Sequence, residues 1–131
     1  MATKGRLEFS GLADYIEELA RSEKDVDQAV KNALTAGAEP ILNEMVKLVP
    51  KDTHNLEQHL MTDGPHQDGN FIYIDIGIIN ADEHTAIYGN VQEYGSSSNA
   101  AQPYIRPALR GKKSAAMRAM KESLKSEGFT G

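Results

Sequence analysis

The chain is organised around residues 92–109, which read QEYGSSSNAAQPYIRPAL. Residues 96–100 are small and bring no bulky group to anchor a packed turn, so they predict a loop. Pro103 and Pro107 stand four residues apart, and a proline is tolerated in the first turn of a helix, where its missing N–H has no partner to lose. The stretch therefore predicts a loop that passes into a helix near Pro103 or Pro107.

Apolar and charged groups meet where this loop becomes a helix, and they support two interpretations. Arg106 must stay hydrated or find a carboxylate, and Glu93 is the nearest candidate in sequence, so the stretch is either an internal anchor or an assembly surface. Tyrosine and arginine are enriched where interfaces place their binding energy, which supports the second interpretation. The candidate interface residues are Glu93, Tyr94, Gly95, Gln102, Pro103, Tyr104, Ile105, Arg106 and Pro107.

Length and composition place the chain among ordinary globular proteins. It has 131 residues, of which 40% are hydrophobic and 25% charged, and we expect one domain spanning residues 1–131. No apolar run reaches the roughly 20 residues that a membrane helix needs. Residues 1–5 lack a hydrophobic signal core and the chain has no cysteine, so we expect it to stay in a cytoplasm. A net charge of −5 argues against a phosphate-gripping surface.

The first half of the chain has the periodicity of helices. An amphipathic stripe predicts a helix at Gly11–Arg21, and a longer stripe predicts a second helix from Asp25 to Leu48. Pro40 lies inside this second helix and predicts a kink. The small residues around Gly37 would let another element approach closely, and we expect that element to be the sheet, with a subunit contact as the alternative.

Isoleucines at every second position mark Phe71–Ile79 as a strand. The isoleucine face is expected to be core, and the opposite face, which carries Tyr73 and Asp75, is expected to be partly solvated or covered by other subunits. Leu7 and Phe9 show a shorter alternation that fits an edge strand or an arm. A weaker helical stripe that includes Ala86, Ile87, Val91 and Tyr94 predicts a short helix ending by Gly95.

The residues between the long helix and this strand are less regular. Leu56–Met61 fits either a helical turn or a strand, whereas Thr62–Asn70 is rich in Asp, Gly, His and Asn and predicts a loop. We expect part of this loop to be mobile and to bind a partner. Its candidate residues are Asp63, Gly64, Pro65, His66, Gln67, Asp68 and Gly69.

The remaining pattern predicts one more helix, loosened near Gly111 and ended by Gly128, after which the last residues should fray. Basic residues surround its apolar stripe, and an acidic surface of another subunit is the partner that they favour. Together these elements predict an α+β fold. A small antiparallel sheet of roughly three to five strands should pack against the long kinked helix and the C-terminal helix.

The sequence gives little support to catalysis or metal binding. His54 and His59 are five residues apart, which misses the i, i+4 face of a helical ligand pair, and His66 and His84 fall in no recognised ligand pattern. No nucleophile elbow, phosphate loop or dinucleotide fingerprint occurs. We therefore predict a protein that is not an enzyme and that needs no metal or cofactor.

Two motifs resemble a known family. The pairing of Gln-Glu-Tyr-Gly at 92–95 with Ala-Gln-Pro-Tyr-Ile-Arg-Pro-Ala-Leu at 101–109 resembles a signature of the HK97 gp10 family of phage morphogenesis proteins. Pro50-Lys51-Asp52-Thr53-His54-Asn55-Leu56 is similar to an upstream element of the same family, which has glycine where this chain has His54. The likeness runs from about Gly11 to Glu122. It favours a turn that leads into a strand for residues 56–61.

The resemblance implies a structural role in a tailed bacteriophage or prophage. Such a protein completes the tail and joins it to the head as a ring around the DNA channel, so it belongs to the virion neck and to the host cytoplasm during assembly. The implied partners are further copies in a ring, with a hexamer favoured, a head connector or stopper, and the tail tube or terminator. We expect DNA to pass through the lumen without specific binding, and we expect no membrane to be involved.

Two other functions stay open at this point. A small acidic phage protein can act as a binding module that masks a host protein, in which case it would be monomeric or dimeric and absent from virions. A small hydrolase would require the side chains around Asp52 and His54 to converge in a pocket.

Overall fold

The computed structural model describes residues 3–8, 26–51, 55–68 and 71–129. The described chain is α+β, as predicted, with three strands and five helices. The predicted helix at Gly11–Arg21 and the position of His54 lie outside the described residues. The strands are β1 (Thr3–Glu8), β2 (Leu60–Asp68) and β3 (Phe71–Ile78), and the helices are α1 (Val26–Leu48), α2 (Asn55–His59), α3 (Glu83–Tyr94), α4 (Ile105–Gly111) and α5 (Lys113–Ser126).

The sheet is antiparallel with the order β1-β3-β2, so the isoleucine-rich strand is central. Ile72, Ile74, Ile76 and Ile78 are buried, which confirms that their face is core. The opposite face was predicted to be partly solvated or covered by other subunits, but Asp75 on this face is only 2% exposed within the protomer. Lys4 and Arg6 of β1 reach across the sheet to its carboxylate and cover it.

The strand-like pattern near the start of the chain is confirmed as β1, an edge strand that pairs with β3 from Thr3 opposite Ile78 to Glu8 opposite Tyr73. Gly77 allows this close pairing. A Cβ atom at Gly77 would lie 2.4 Å from the carbonyl oxygen of Thr3, so any side chain there would push the two strands apart.

The predicted loop between the last two strands is wrong for Thr62–Asp68, because these residues form most of β2. Their polar side chains are accommodated because β2 is an edge strand, where only one side of the backbone pairs and side chains can face water. Gly64 and Pro65 fall at a register shift between Asp63 and His66, where two residues have no ladder partner. Leu56–Met61 combines both alternatives, since α2 gives way to β2 at Leu60.

Helix α1 supplies most of the helical side of the core. Its small residues pack against the C-terminal helix as well as the sheet, because a Cβ atom at Gly37 would lie 2.7 Å from Cγ of Met120 and 3.2 Å from the carbonyl oxygen of Ala116. The sheet approaches this patch as expected, since the same Cβ atom would lie 3.2 Å from Cδ2 of Leu7 in β1, and α5 approaches it as well. Pro40 lies inside α1, and the kink predicted there stays a prediction.

The C-terminal region is two helices instead of one. The helix predicted near Pro103 or Pro107 begins at Ile105, and it breaks at Lys112, beside the glycine that was expected to loosen it. Beyond Gly128 the chain turns back, and the Phe129 amide donates to the Leu124 carbonyl at 3.0 Å. Phe129 is 1% exposed, so the prediction that it frays is wrong: its ring is large enough to complete the core.

Candidate functional site

Helix α3 turns an unexpected side to the core. Its buried residues are Thr85, Ala86, Gly89 and Glu93, so the helix itself is confirmed but its predicted stripe is wrong beyond Ala86. The small residues face inward because α3 lies close to its neighbours. A Cβ atom at Gly89 would be 3.0 Å from the Tyr104 hydroxyl oxygen. Larger apolar side chains are consequently left on the outer side of the helix.

A buried carboxylate joins the end of α3 to the start of α4. Glu93 is 0% exposed, and its Oε1 accepts the backbone N–H groups of Tyr104 at 2.8 Å and Ile105 at 2.7 Å. Its Oε2 accepts the backbone N–H of Arg106 at 3.1 Å and Nε of the same residue at 2.8 Å. Because the first amides of a helix have no partner within it, Glu93 caps α4 from a distance of eleven residues or more along the chain.

The carboxylate of Glu93 stays ionised despite its burial. Burial is the largest influence and raises its pKa, but the hydrogen bonds from the Ile105 amide, the Arg106 side chain and the Tyr104 and Arg106 amides together outweigh it. The net result is a lowered pKa. Arg106 also donates from Nη2 to the backbone carbonyl of Glu93 at 2.6 Å. Its side chain therefore binds both the carboxylate and the backbone of Glu93, and we call this pair the clamp.

The ring of Tyr104 fixes the same joint from the core side. Tyr104 is 0% exposed, and its hydroxyl donates to the carbonyl of Gly89 at 3.0 Å. Burial and the nearby charge of Glu93 raise the pKa of its hydroxyl. Tyr104 is thus an internal anchor. Glu93 and Arg106 are paired within the same protomer, so they too hold the chain together internally.

The loop between the helices is held at both ends and exposed between them. The Gly95 amide donates to the Val91 carbonyl at 2.7 Å, and the Gln102 amide donates to the Gln92 carbonyl at 2.7 Å. Residues 96–103 are exposed, and Ser96 and Asn99 exchange backbone hydrogen bonds across the tip. We call residues 95–103 the corner loop. A loop that projects from a fixed base is a common carrier of binding function.

The outer face of α3 is apolar and open. We define it by His84, Ile87, Tyr88, Val91 and Tyr94; of these, Ile87, Tyr88 and Tyr94 are 46%, 37% and 58% exposed. With Gln92, Asn99 and Gln102, its first four residues line a groove of about 470 Å³ beside the corner loop. The Arg106 guanidinium lies 4.6 Å from the centre of the Tyr94 ring, which ties the clamp to this surface.

The predicted interface residues therefore divide into two groups. Tyr94, Gln102, Pro103 and Arg106 are exposed, whereas Glu93, Tyr104 and Ile105 are buried within the protomer. Gly95 and Pro107 are half-buried. Tyr88 was not among the predicted interface residues, and Ile87 and Val91 were predicted only as members of a helical stripe. The signal that would have found them is the run of small residues on the opposite side of α3, at Thr85, Ala86 and Gly89.

A second polar cluster lies on the open side of the sheet. Asp75 accepts a hydrogen bond from Arg6 at 2.8 Å and forms an ion pair with Lys4 at 2.9 Å. The Arg6 guanidinium also lies 3.9 Å from the centre of the Tyr73 ring. Burial raises the pKa of Asp75, but the hydrogen bonds from Arg6 and Lys4 outweigh it and lower the pKa. The cations neutralise the carboxylate, so this cluster braces β1 against β3.

The three histidines in the described part of the chain are dispersed. His59 is in α2, His84 is on the outer face of α3, and His66 lies 3.0 Å from the Asp63 carboxylate and 5.4 Å from the Tyr73 ring centre. Among the described residues, no group of three or more His, Asp or Glu side chains is placed to hold a metal ion. The hydrolase hypothesis depends on Asp52 and His54, which lie outside the described residues. No helix in the described part of the chain is long and apolar enough to cross a membrane.

Comparison with known proteins identifies the family. Residues 10–95, about two thirds of the chain, match a family model described as “Bacteriophage HK97-gp10, putative tail-component”. Searches of curated proteins and of solved structures found no match. The matched region includes α1, the described sheet strands β2 and β3, and the whole of α3 with its outer face. The chain belongs to the HK97 gp10-like family of bacteriophage tail components.

Proposed function

We propose that this protein completes the tail of a bacteriophage by forming a ring at the head–tail junction, around the channel through which DNA passes. Family membership supports a role as a structural part of the virion tail. The observation that carries the finer proposal is the apolar outer face of α3 beside the clamped corner loop. A contiguous apolar patch of this kind on the surface of a subunit often marks a site of protein–protein contact.

The exposed residues on and beside the outer face of α3 include tyrosines and an arginine, which are the residue types that contribute most binding energy at interfaces. Tyr88 and Tyr94 provide large, stiff contact areas, and Arg106 is already oriented by its bonds to Glu93. A side chain held before binding loses little conformational entropy when it binds. The internal clamp therefore serves the surface, because it holds Tyr94 and Arg106 in place on a rigid base.

The proposed partners follow from a place at the junction. They are further copies of this chain in a ring, with a hexamer favoured, a connector or stopper on the head side, and the tail tube or terminator on the other side. Six copies would carry a formal charge of −30, six times the −5 of one chain. A ring with this charge would let DNA slide through its lumen without specific binding.

The proposed role is mechanical, with no catalytic step. The protein would accumulate in the host cytoplasm during assembly and finish in the neck of the virion. A binding module directed at a host protein would use the same exposed corner but would not be incorporated into particles. Detection of the protein in purified virions therefore separates the two functions.

The test replaces the exposed tyrosines and leaves the clamp intact. Tyr88→Ser with Tyr94→Ser should lower the melting temperature by no more than a few degrees, because Tyr94 is 58% exposed and Tyr88 is 37% exposed, so neither side chain belongs to the buried core. Ring formation, measured by light scattering, and head–tail joining in extracts should both be lost. Leu48→Ser is the matched control, since Leu48 at the end of α1 is an apolar residue that is 41% exposed, between Tyr88 and Tyr94.

The control fixes how the result is interpreted. If the tyrosine variant forms no rings and Leu48→Ser still does, the outer face of α3 is an assembly surface. If rings still form and heads still join tails after the tyrosine substitutions, the outer face of α3 is not the assembly surface. A protein that is absent from purified virions would refute the function itself.

A further inference from the structure

The C-terminal helix α5 carries cations that pair with none of the described carboxylates. Arg118, Lys121 and Lys125 lie on the side of α5 away from its buried residues Ala116 and Met120. Within the described residues these three have no ion-pair partner, whereas Lys4, Arg6 and Arg106 are each paired with a carboxylate. We call Arg118, Lys121 and Lys125 the basic face of α5.

The charge of the chain is strongly divided. Residues 106–125 hold seven basic residues and one acidic residue, a net charge of +6. Because the whole chain carries −5, all other residues together carry −11. Two copies therefore attract each other when residues 106–125 of one, in α4 and α5, approach a different surface of the next, and repel when like surfaces meet.

The outer face of α3 is complementary to the basic face of α5. The exposed carboxylates Asp82 and Glu83 stand at the start of α3, and the rings of Tyr88 and Tyr94 follow along it. Lysine and arginine side chains can lay their apolar stems on such rings while their charged ends reach carboxylates or the ring faces. Each feature of one surface thus has a counterpart on the other.

We propose that the basic face of α5 docks on the outer face of α3 in a second copy of this chain. The inference rests on the proposed ring, because a closed ring joins two unlike surfaces of each subunit and leaves neither unused. DNA is the less favoured partner. Glu122 lies among the cations of this face, α5 has no aromatic residue to stack on bases, and the chain as a whole is acidic.

Two variants test the unlike contact directly. The first, Ile87→Ser with Tyr94→Ser, removes the outer face of α3; the second, Lys121→Glu with Lys125→Glu, reverses the basic face of α5. Each variant alone should be monomeric by analytical ultracentrifugation. Their equimolar mixture should contain a 1:1 heterodimer and nothing larger, since one good surface remains on each chain.

A control and a second measurement keep the test decisive. Lys31→Glu with Lys47→Glu makes the same change in net charge on α1 and should still assemble. In wild-type rings, a zero-length carbodiimide reagent should join Lys121 or Lys125 of one chain to Asp82 or Glu83 of another, which mass spectrometry of mixed isotope-labelled subunits detects.

The outcomes separate this inference from the ring proposal. Wild-type rings with no heterodimer in the mixture and no such crosslink would overturn the α5–α3 contact and leave the ring standing. Wild-type protein that forms no ring would overturn the proposed function. A Lys121→Glu, Lys125→Glu variant that assembles normally but loses affinity for duplex DNA would also overturn the contact, and would assign the basic face to DNA.

Discussion

Glu93→Gln removes one charge from the joint between α3 and α4 while keeping its shape. The Oε2 position of Glu93 accepts two hydrogen bonds from Arg106, one from its backbone N–H and one from Nε. An amide group at this position would place N–H donors against those donors. If the amide turned over, its donors would instead face the N–H groups of Tyr104 and Ile105.

The cost follows from the number of bonds affected. A hydrogen bond to a charged group contributes about 1.5–3 kcal/mol, and two of the four are lost outright. The Arg106 side chain is 43% exposed, so water can partly replace the hydrogen bond that its Nε loses. We therefore assign a cost of about 1 kcal/mol to the loss of that bond. The two bonds from Tyr104 and Ile105 become weaker neutral ones. We expect the free energy of unfolding to fall by about 3–5 kcal/mol.

Urea denaturation followed by circular dichroism measures this change. The matched control is Arg106→Gln, which keeps the three backbone bonds to the Glu93 carboxylate and should cost about 1–2 kcal/mol. A loss below 1 kcal/mol for Glu93→Gln, or an equal loss in the two variants, would refute the argument that the backbone amides of α4 depend on this carboxylate.

Three further predictions concern the core, the glycines and acid stability. Ile76→Ala should cost about 2–5 kcal/mol in the same urea assay, because Ile76 is fully buried on the core face of β3; a cost within error of zero would contradict its place there. Gly111→Ala should stabilise the protein by up to about 1 kcal/mol, since a Cβ atom there meets nothing within 4 Å, whereas Gly77→Ala should destabilise it by separating β1 from β3; reversed signs would refute the packing at both positions. The pKa values of Glu93 and Asp75 are lowered by folding, so their stabilisation is complete above the unfolded-state pKa of about 4 and is lost as the pH falls through the folded-state values; a free energy of unfolding that is flat from about pH 5 to pH 2 would contradict both ion clusters.

Strong local patterns made parts of the fold predictable. Strand β3 follows from isoleucine at every second position, and α1 follows from a long helical stripe; both were found within one residue of their predicted ends. The start of α4 was predicted from its prolines, because the fixed backbone angle and missing N–H of proline limit where it can lie in a helix. These signals reside in a few neighbouring residues.

Features set by distant partners were not predictable in the same way. Strand β2 has a composition typical of loops, and only pairing with β3 makes it a strand. The inward side of α3 is decided by Tyr104, whose hydroxyl requires the small Gly89 beside it. The sequence also cannot show by itself that Glu93 caps α4 while Tyr94 faces solvent. These two neighbours differ in role because consecutive residues of a helix point about 100° apart, which leaves Glu93 buried and Tyr94 exposed.

The most direct test of the proposed assembly is the mass and shape of the purified protein. Native mass spectrometry should give a multiple of the 14.3 kDa protomer, with six copies favoured, and electron microscopy should show a closed ring with Tyr88 and Tyr94 at the contact between subunits. A protein that stays monomeric at all concentrations, alone and with the tail and head components, would contradict the account.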